Sequence, residues 1–106
     1  MKNFEEQALK LIVQSGEARL LGQQSLELMR IGKTVLAKEK NEQAIEALNN
    51  GRKVHAELLR RMASGEEVTL DLLLIHAEDH IMSTQVYLDM VNELIYVYER
   101  MEIKDE

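Results

Sequence analysis

The sequence predicts an all-α fold, an antiparallel three-helix bundle built from one domain over residues 1–106. Three observations carry this. There is no proline among the 106 residues. Long stretches are rich in Ala, Leu, Glu, Lys, Gln and Met, which lose least on entering a helix. Punctuation is confined to two places. Hydrophobic residues make up 45% of the chain, far too many for a disordered one. The chain has no cysteine, which excludes a disulfide framework, a thiol nucleophile and a thiolate metal site. The opening MKNFEEQALK lacks a basic-then-apolar leader pattern, and no apolar run approaches the roughly 20 residues of a membrane helix. A cytoplasmic location without membrane insertion is expected. A formal charge of −6 argues against nucleic acid as a partner and for a basic protein.

The first helix is predicted over about Asn3–Ile31, ended by Gly32. Phe4, Ala8, Leu11, Ser15, Ala18, Gly22, Ser25 and Met29 recur every three or four residues and share one side. From Ser15 to Ser25 that side is made of small residues, a strip over which another helix can come close. Thr34 is expected to cap a second helix running to Met62. Within it, Asn49-Asn50-Gly51 reads as a tolerated interruption, since a glycine costs only ~1 kcal/mol against alanine. Gly65 stops that helix, and a third is expected to start at Thr69 and run to Ile103.

At about 100° per residue, the third helix has two apolar stripes. Leu70, Leu74, Ala77, Ile81, Leu88, Val91 and Ile95 share one side. Leu72, Ile75, Met82, Val86, Met90 and Val97 share nearly the opposite one. Asp71, Glu78, Gln85, Asp89, Asn92 and Tyr96 form a polar face between them. Two companion helices cover one stripe well but not both, so association through the second stripe is expected.

Asp79 lies within the second stripe. A carboxylate there must be paired, hydrogen-bonded or bound to a cation. If copies of this helix meet at an axis, Asp79 meets its own copies and a proton or metal ion is needed between them; oxygen-only ligands favour Mg²⁺ or Ca²⁺. Alternatively, Asp79 bonds to a Ser, a Lys or water inside the monomer. Beside the stripe, His76 and His80 point the same way, followed by Ser83 and Tyr87 on the same edge. Three readings compete: ordinary boundary histidines; a zinc clip at i, i+4, for which Glu78 points to the far side; or a nucleophilic imidazole with a free lone pair, oriented by the second histidine.

The strings Ser15-Gly16-Glu17-Ala18-Arg19 and Leu72-Leu73-Leu74-Ile75-His76-Ala77-Glu78-Asp79-His80-Ile81-Met82 closely resemble the IIA component of the lactose/cellobiose family of the bacterial sugar phosphotransferase system. That family carries S-G-x-A-R in the first helix and L-L-V-H-A-Q-D-H-L-M in the third, and the resemblance runs from about Glu5 to Met101. It implies a homotrimer, a nine-helix bundle, in which His76 takes a phosphoryl group from the phosphohistidine of the carrier HPr. His76 then passes it to a cysteine of the IIB component, and the IIC permease phosphorylates the sugar during uptake. It also implies that Asp79 of each subunit surrounds a divalent cation, Mg²⁺ in the first place, at the trimer axis. His80 is expected to orient the imidazole or contact the phosphoryl group.

Two positions depart from the family pattern. Glu78 stands where the family shows Gln. It lies about 160° around the helix from His76, so it is expected to approach a neighbour's site across the interface, where an ionised carboxylate would repel phosphoryl and slow transfer, or else to be protonated or turned outward. In the middle helix, Gly51-Arg52 replaces an Ala-His pair and His55 falls near a usual Gln; His55 is expected to be a boundary histidine without a functional role. The alternative function is a non-catalytic regulatory or structural oligomer of the same fold.

Overall fold

The computed structural model describes residues 4–105 of the chain. Three helices follow one another: α1, Glu5–Arg30; α2, Thr34–Ala63; α3, Leu72–Asp105. Asn3, expected to start the first helix, lies outside the described residues. The 34 residues of α3 span about 51 Å at 1.5 Å per residue, and the molecule is a rod of 61 × 19 × 18 Å. α2 runs antiparallel to both others, because Phe4 meets Arg61 and Asn41 meets Asn92. α1 and α3 run side by side in the same direction, Arg19 meeting Ser83 and Gly22 meeting Leu88. α1 makes the most extensive contacts, and α2 and α3 touch least.

Both turns use a left-handed glycine. Gly32 has φ 78° and Gly65 φ 94°, a region that costs other residues steric strain. After α1, the Gly32 amide donates to the Met29 carbonyl at 3.1 Å and the Lys33 amide to Leu28 at 2.9 Å. After α2, Gly65 donates to Met62 at 3.1 Å and Glu66 to Arg61 at 3.2 Å. Each end thus closes two carbonyls that the helix leaves open. Arg61 is fixed further by two hydrogen bonds to Glu66, at 2.6 and 2.8 Å, with its guanidinium over the Phe4 ring.

The helix starts differ from those expected. Thr34 is the first helical residue, and the capping position is Lys33, which makes no side-chain cap. α3 begins at Leu72 rather than Thr69, because Asp71 Oδ1 accepts from the Leu74 amide at 2.9 Å; Asp71 is the residue whose side chain reaches an open donor. Leu70, placed in the first stripe by its spacing, therefore precedes the helix and is exposed.

The core follows the periodicity of the sequence. All eight residues of the α1 face are buried, as are Leu74, Ala77, Ile81, Leu88, Val91 and Ile95 of α3. The small residues do what the strip implied. A Cβ at Gly22 would meet Leu88 Cδ2 at 2.7 Å and Tyr87 Cε2 at 3.2 Å. Gly51 is a packing requirement rather than an interruption: α2 is continuous through it, and a Cβ would meet the buried Ile81 Cδ1 at 2.7 Å. Ser25 Oγ donates to the Ala37 carbonyl at 2.7 Å, tying α1 to the first turn of α2. Asn41 Nδ2 donates to Asn92 Oδ1 at 2.6 Å, and Asn92 in turn to the Leu88 carbonyl at 2.9 Å, tying α2 to α3.

Gly22→Ala is expected to lower the urea midpoint of unfolding. Overpacking costs about 1–3 kcal/mol and outweighs the ~1 kcal/mol gained by replacing a helical glycine. A midpoint that is unchanged or raised would contradict the close approach of α1 to α3.

Candidate functional site

α3 is read most easily by its four sides. One is the core stripe. α1 flanks the edge that carries His76, His80, Ser83 and Tyr87. α2 flanks the polar edge, where His55 faces Glu78, Asn41 bonds to Asn92, and Lys38 Nζ pairs with Glu99 at 2.8 Å. The fourth side is the second apolar stripe. Leu72, Ile75, Met82, Val86, Met90 and Val97 remain between 48% and 82% exposed there. The two companion helices leave this stripe uncovered, in agreement with its sequence pattern.

On the α1 edge, His76 is exposed and His80 half-buried. Their rings meet edge to face, with centroids 5.7 Å apart. Helical spacing explains this, since residues four apart stack on one side. Ser83 Oγ donates to the His80 carbonyl at 3.1 Å. Arg19 Nη2 reaches across from α1 and donates to Ser83 Oγ at 3.2 Å, while the guanidinium lies 5.5 Å from the centre of the Tyr87 ring. Gly22, one turn beyond Arg19, lets Tyr87 and Leu88 close in. Arg19 therefore joins the histidine edge, although sequence reasoning singled it out only as the end of S-G-x-A-R. A signal was available: Ser15, Gly16, Gly22 and Gln23 occupy the positions three and four away, so Arg19 has no acidic partner on its own helix.

Glu78 lies on the other edge. Its Oε2 faces His55 Nδ1 of α2, with both side chains about 70% buried (27% and 30% exposed). The carboxylate is neither turned outward nor near its own His76: it is engaged inside its own chain. His55 is indeed a boundary histidine, but one with a partner. Asp79 is exposed beside Ile75 and Met82 and forms no ion pair or side-chain hydrogen bond among the described residues. The alternative of an Asp79 bonded to a Ser or Lys of the same chain is thus not what the fold adopts. No group of three or more His, Cys, Asp or Glu gathers among the described residues, so no third donor joins His76 and His80 to complete a zinc site within the chain. The arrangement presents an exposed imidazole on a long helix, along an edge that also carries a second histidine, a serine hydroxyl and an arginine from α1.

An all-helical chain with one exposed and one half-buried histidine on a single helix edge, beside an apolar side that its own helices leave uncovered, has the architecture of a class of phosphotransfer proteins. Residues 6–99 match the family model of the PTS system, lactose/cellobiose specific IIA subunit, and the chain belongs to that family. It is similar to the PTS system N,N'-diacetylchitobiose-specific EIIA component of Escherichia coli K12, with 31% identity over 101 residues that make up 95% of this chain and 87% of that protein. Its fold is similar to the crystal structure of the PTS cellobiose-specific enzyme IIA from Bacillus anthracis, with a TM-score of 0.90 and 32% identity, covering 98% of this chain and 96% of that one. It is also similar to the solution structure of the IIA(chitobiose)–HPr complex of the E. coli phosphotransferase system, with a TM-score of 0.74 and 27% identity, covering 96% of this chain and 99% of that one. Among the described residues, no helix is long and apolar enough to cross a membrane.

Glu78→Gln is expected to move the ring resonances of His55 in an NMR spectrum and to leave those of His76 in place. A shift at His76 with none at His55 would reassign Glu78 to the histidine edge.

Proposed function

We propose that this protein is a cytoplasmic phosphoryl relay of a sugar uptake system. His76 accepts a phosphoryl group from the phosphohistidine of HPr and gives it to a cysteine of a IIB component, which serves a IIC permease for a sugar of the lactose, cellobiose or chitobiose type. The observation that carries this reading is the exposed His76 imidazole beside His80 on the α1 edge of α3. Family membership supports it, as does the HPr complex of the related chitobiose protein.

The chemistry balances simply. Each imidazole keeps one proton on the nitrogen that does not bear phosphorus. The P–N bond of the donor breaks as the P–N bond to His76 forms, and the group moves as PO₃⁻ with no proton exchanged between the rings. In the second step a thiolate attacks phosphorus and His76 leaves as neutral imidazole. Such a transfer needs in-line placement and charge stabilisation more than covalent participation by other groups. A rigid helix supplies the placement, and His80 orients the ring or contacts the phosphoryl oxygens.

We further propose a homotrimer, a nine-helix bundle, with the second stripe at its threefold axis. The exposed apolar residues of that stripe and the unpaired Asp79 among them support this arrangement. Three Asp79 carboxylates would hold a divalent cation of the Mg²⁺ or Ca²⁺ class, which suits an all-oxygen donor set and supplies the charge that keeps three like groups together. The non-catalytic alternative draws on Glu78 in place of the family's glutamine, and the contact of Glu78 with His55 weakens it: the carboxylate is held on the α2 edge, away from its own His76.

Incubation with phosphorylated HPr is expected to label the wild type at one site. His76→Gln abolishes the label and His55→Gln does not. An unlabelled wild type would end the relay reading. For Asp79→Leu, sedimentation is expected to show a trimer at least as stable as the wild type and free of the cation, because buried like charges become apolar contacts. Dissociation would contradict axial placement of Asp79.

A further inference from the structure

We infer that Arg19 is a phosphoryl-binding residue, supplying from α1 the positive charge that His76 needs once it is phosphorylated; the inference rests on the relay reading above. Arg19 is a half-buried guanidinium whose described contacts are all neutral. It donates to the Ser83 hydroxyl and lies against the Tyr87 ring, and no carboxylate pairs with it among the described residues. Its Nε is buried and donates to nothing. A cation drawn out of water without a counter-charge is costly unless an anion comes to it, and an aromatic face offsets only part of that cost. His80 Nδ1, on the same edge, is likewise buried and without a partner.

These unmatched groups bracket Ser83, whose oxygen links Arg19 to the His80 backbone. His76 begins that edge and faces the His80 ring. The only anion the proposed reaction brings there is the phosphoryl group. Ser83 and Tyr87 thus hold the guanidinium on the acceptor's own edge in the resting state, two helical turns from His76, and the side chain swings back along that edge to meet the phosphoryl group. On phosphorylation it exchanges a neutral hydroxyl for charged oxygens, a stronger hydrogen bond. Arg19 makes and breaks no covalent bond. Its effect falls on the phosphorylated state and on the charge of the transferring group.

The test is the phosphoryl equilibrium between HPr and this protein, started from radiolabelled phospho-HPr, for wild type, Arg19→Gln and Arg19→Lys, with thermal melting of each. Arg19→Gln is expected to shift the equilibrium toward HPr by about tenfold or more, the worth of a hydrogen bond to a charged group; Arg19→Lys keeps the charge and loses less. A structural role would lower the melting temperature without moving the equilibrium. An Arg19→Gln equilibrium within about twofold of wild type, too small a change for a lost charged hydrogen bond, overturns the proposal while the labelled wild type leaves the relay reading intact. An unlabelled wild type fells both. In the wild type itself, the Arg19 Nε–H resonance is expected to move downfield and exchange more slowly on phosphorylation. If it stays in place, the proposal is wrong, whatever the variants' folding.

Discussion

The distance at which α1 can approach α3 governs this molecule. It is set at Gly22, where a single methyl group would overlap Leu88 and crowd Tyr87. Ser15, Ala18 and Ser25 continue the same narrow face, all buried. Because the two helices lie this close, an arginine of α1 can touch a serine and a tyrosine of α3. A bulkier seam would push Arg19 away from the histidine edge. The packing of the core and the make-up of the site are therefore one constraint.

α3 is the helix on which every other requirement converges. It contributes a core stripe, a histidine-bearing edge toward α1, a polar edge toward α2 and an apolar side that the chain does not cover. His76 is kept apart from Glu78 by geometry alone, because residues two apart on a helix face nearly opposite ways. His76 and Glu78 are near neighbours in sequence and belong to different interfaces.

Much of this was legible before any coordinates. Phe4 and the seven small or apolar residues that follow it through α1 repeat at helical spacing, and each is buried. The double striping of α3 was visible in the same way, and its second stripe is exposed as expected. Helix starts were less legible. Thr69 and Asp71 are both good caps, and only geometry shows that Asp71 meets the Leu74 amide. Gly51 looked like a weakness because its reason, Ile81, lies on another helix. The His55–Glu78 contact and the place of Arg19 were hidden for the same cause. Periodicity reports which side of a helix a residue occupies, but not which residue of a different helix stands opposite.

The union of His55 with Glu78 also makes two distant positions of the chain answerable to each other. Each is half-buried and each is the other's partner across α2 and α3. A change at either one strands a polar group at the seam, whereas a joint replacement that keeps a donor facing an acceptor does not. Positions 55 and 78 are therefore free to vary together and constrained when they vary alone.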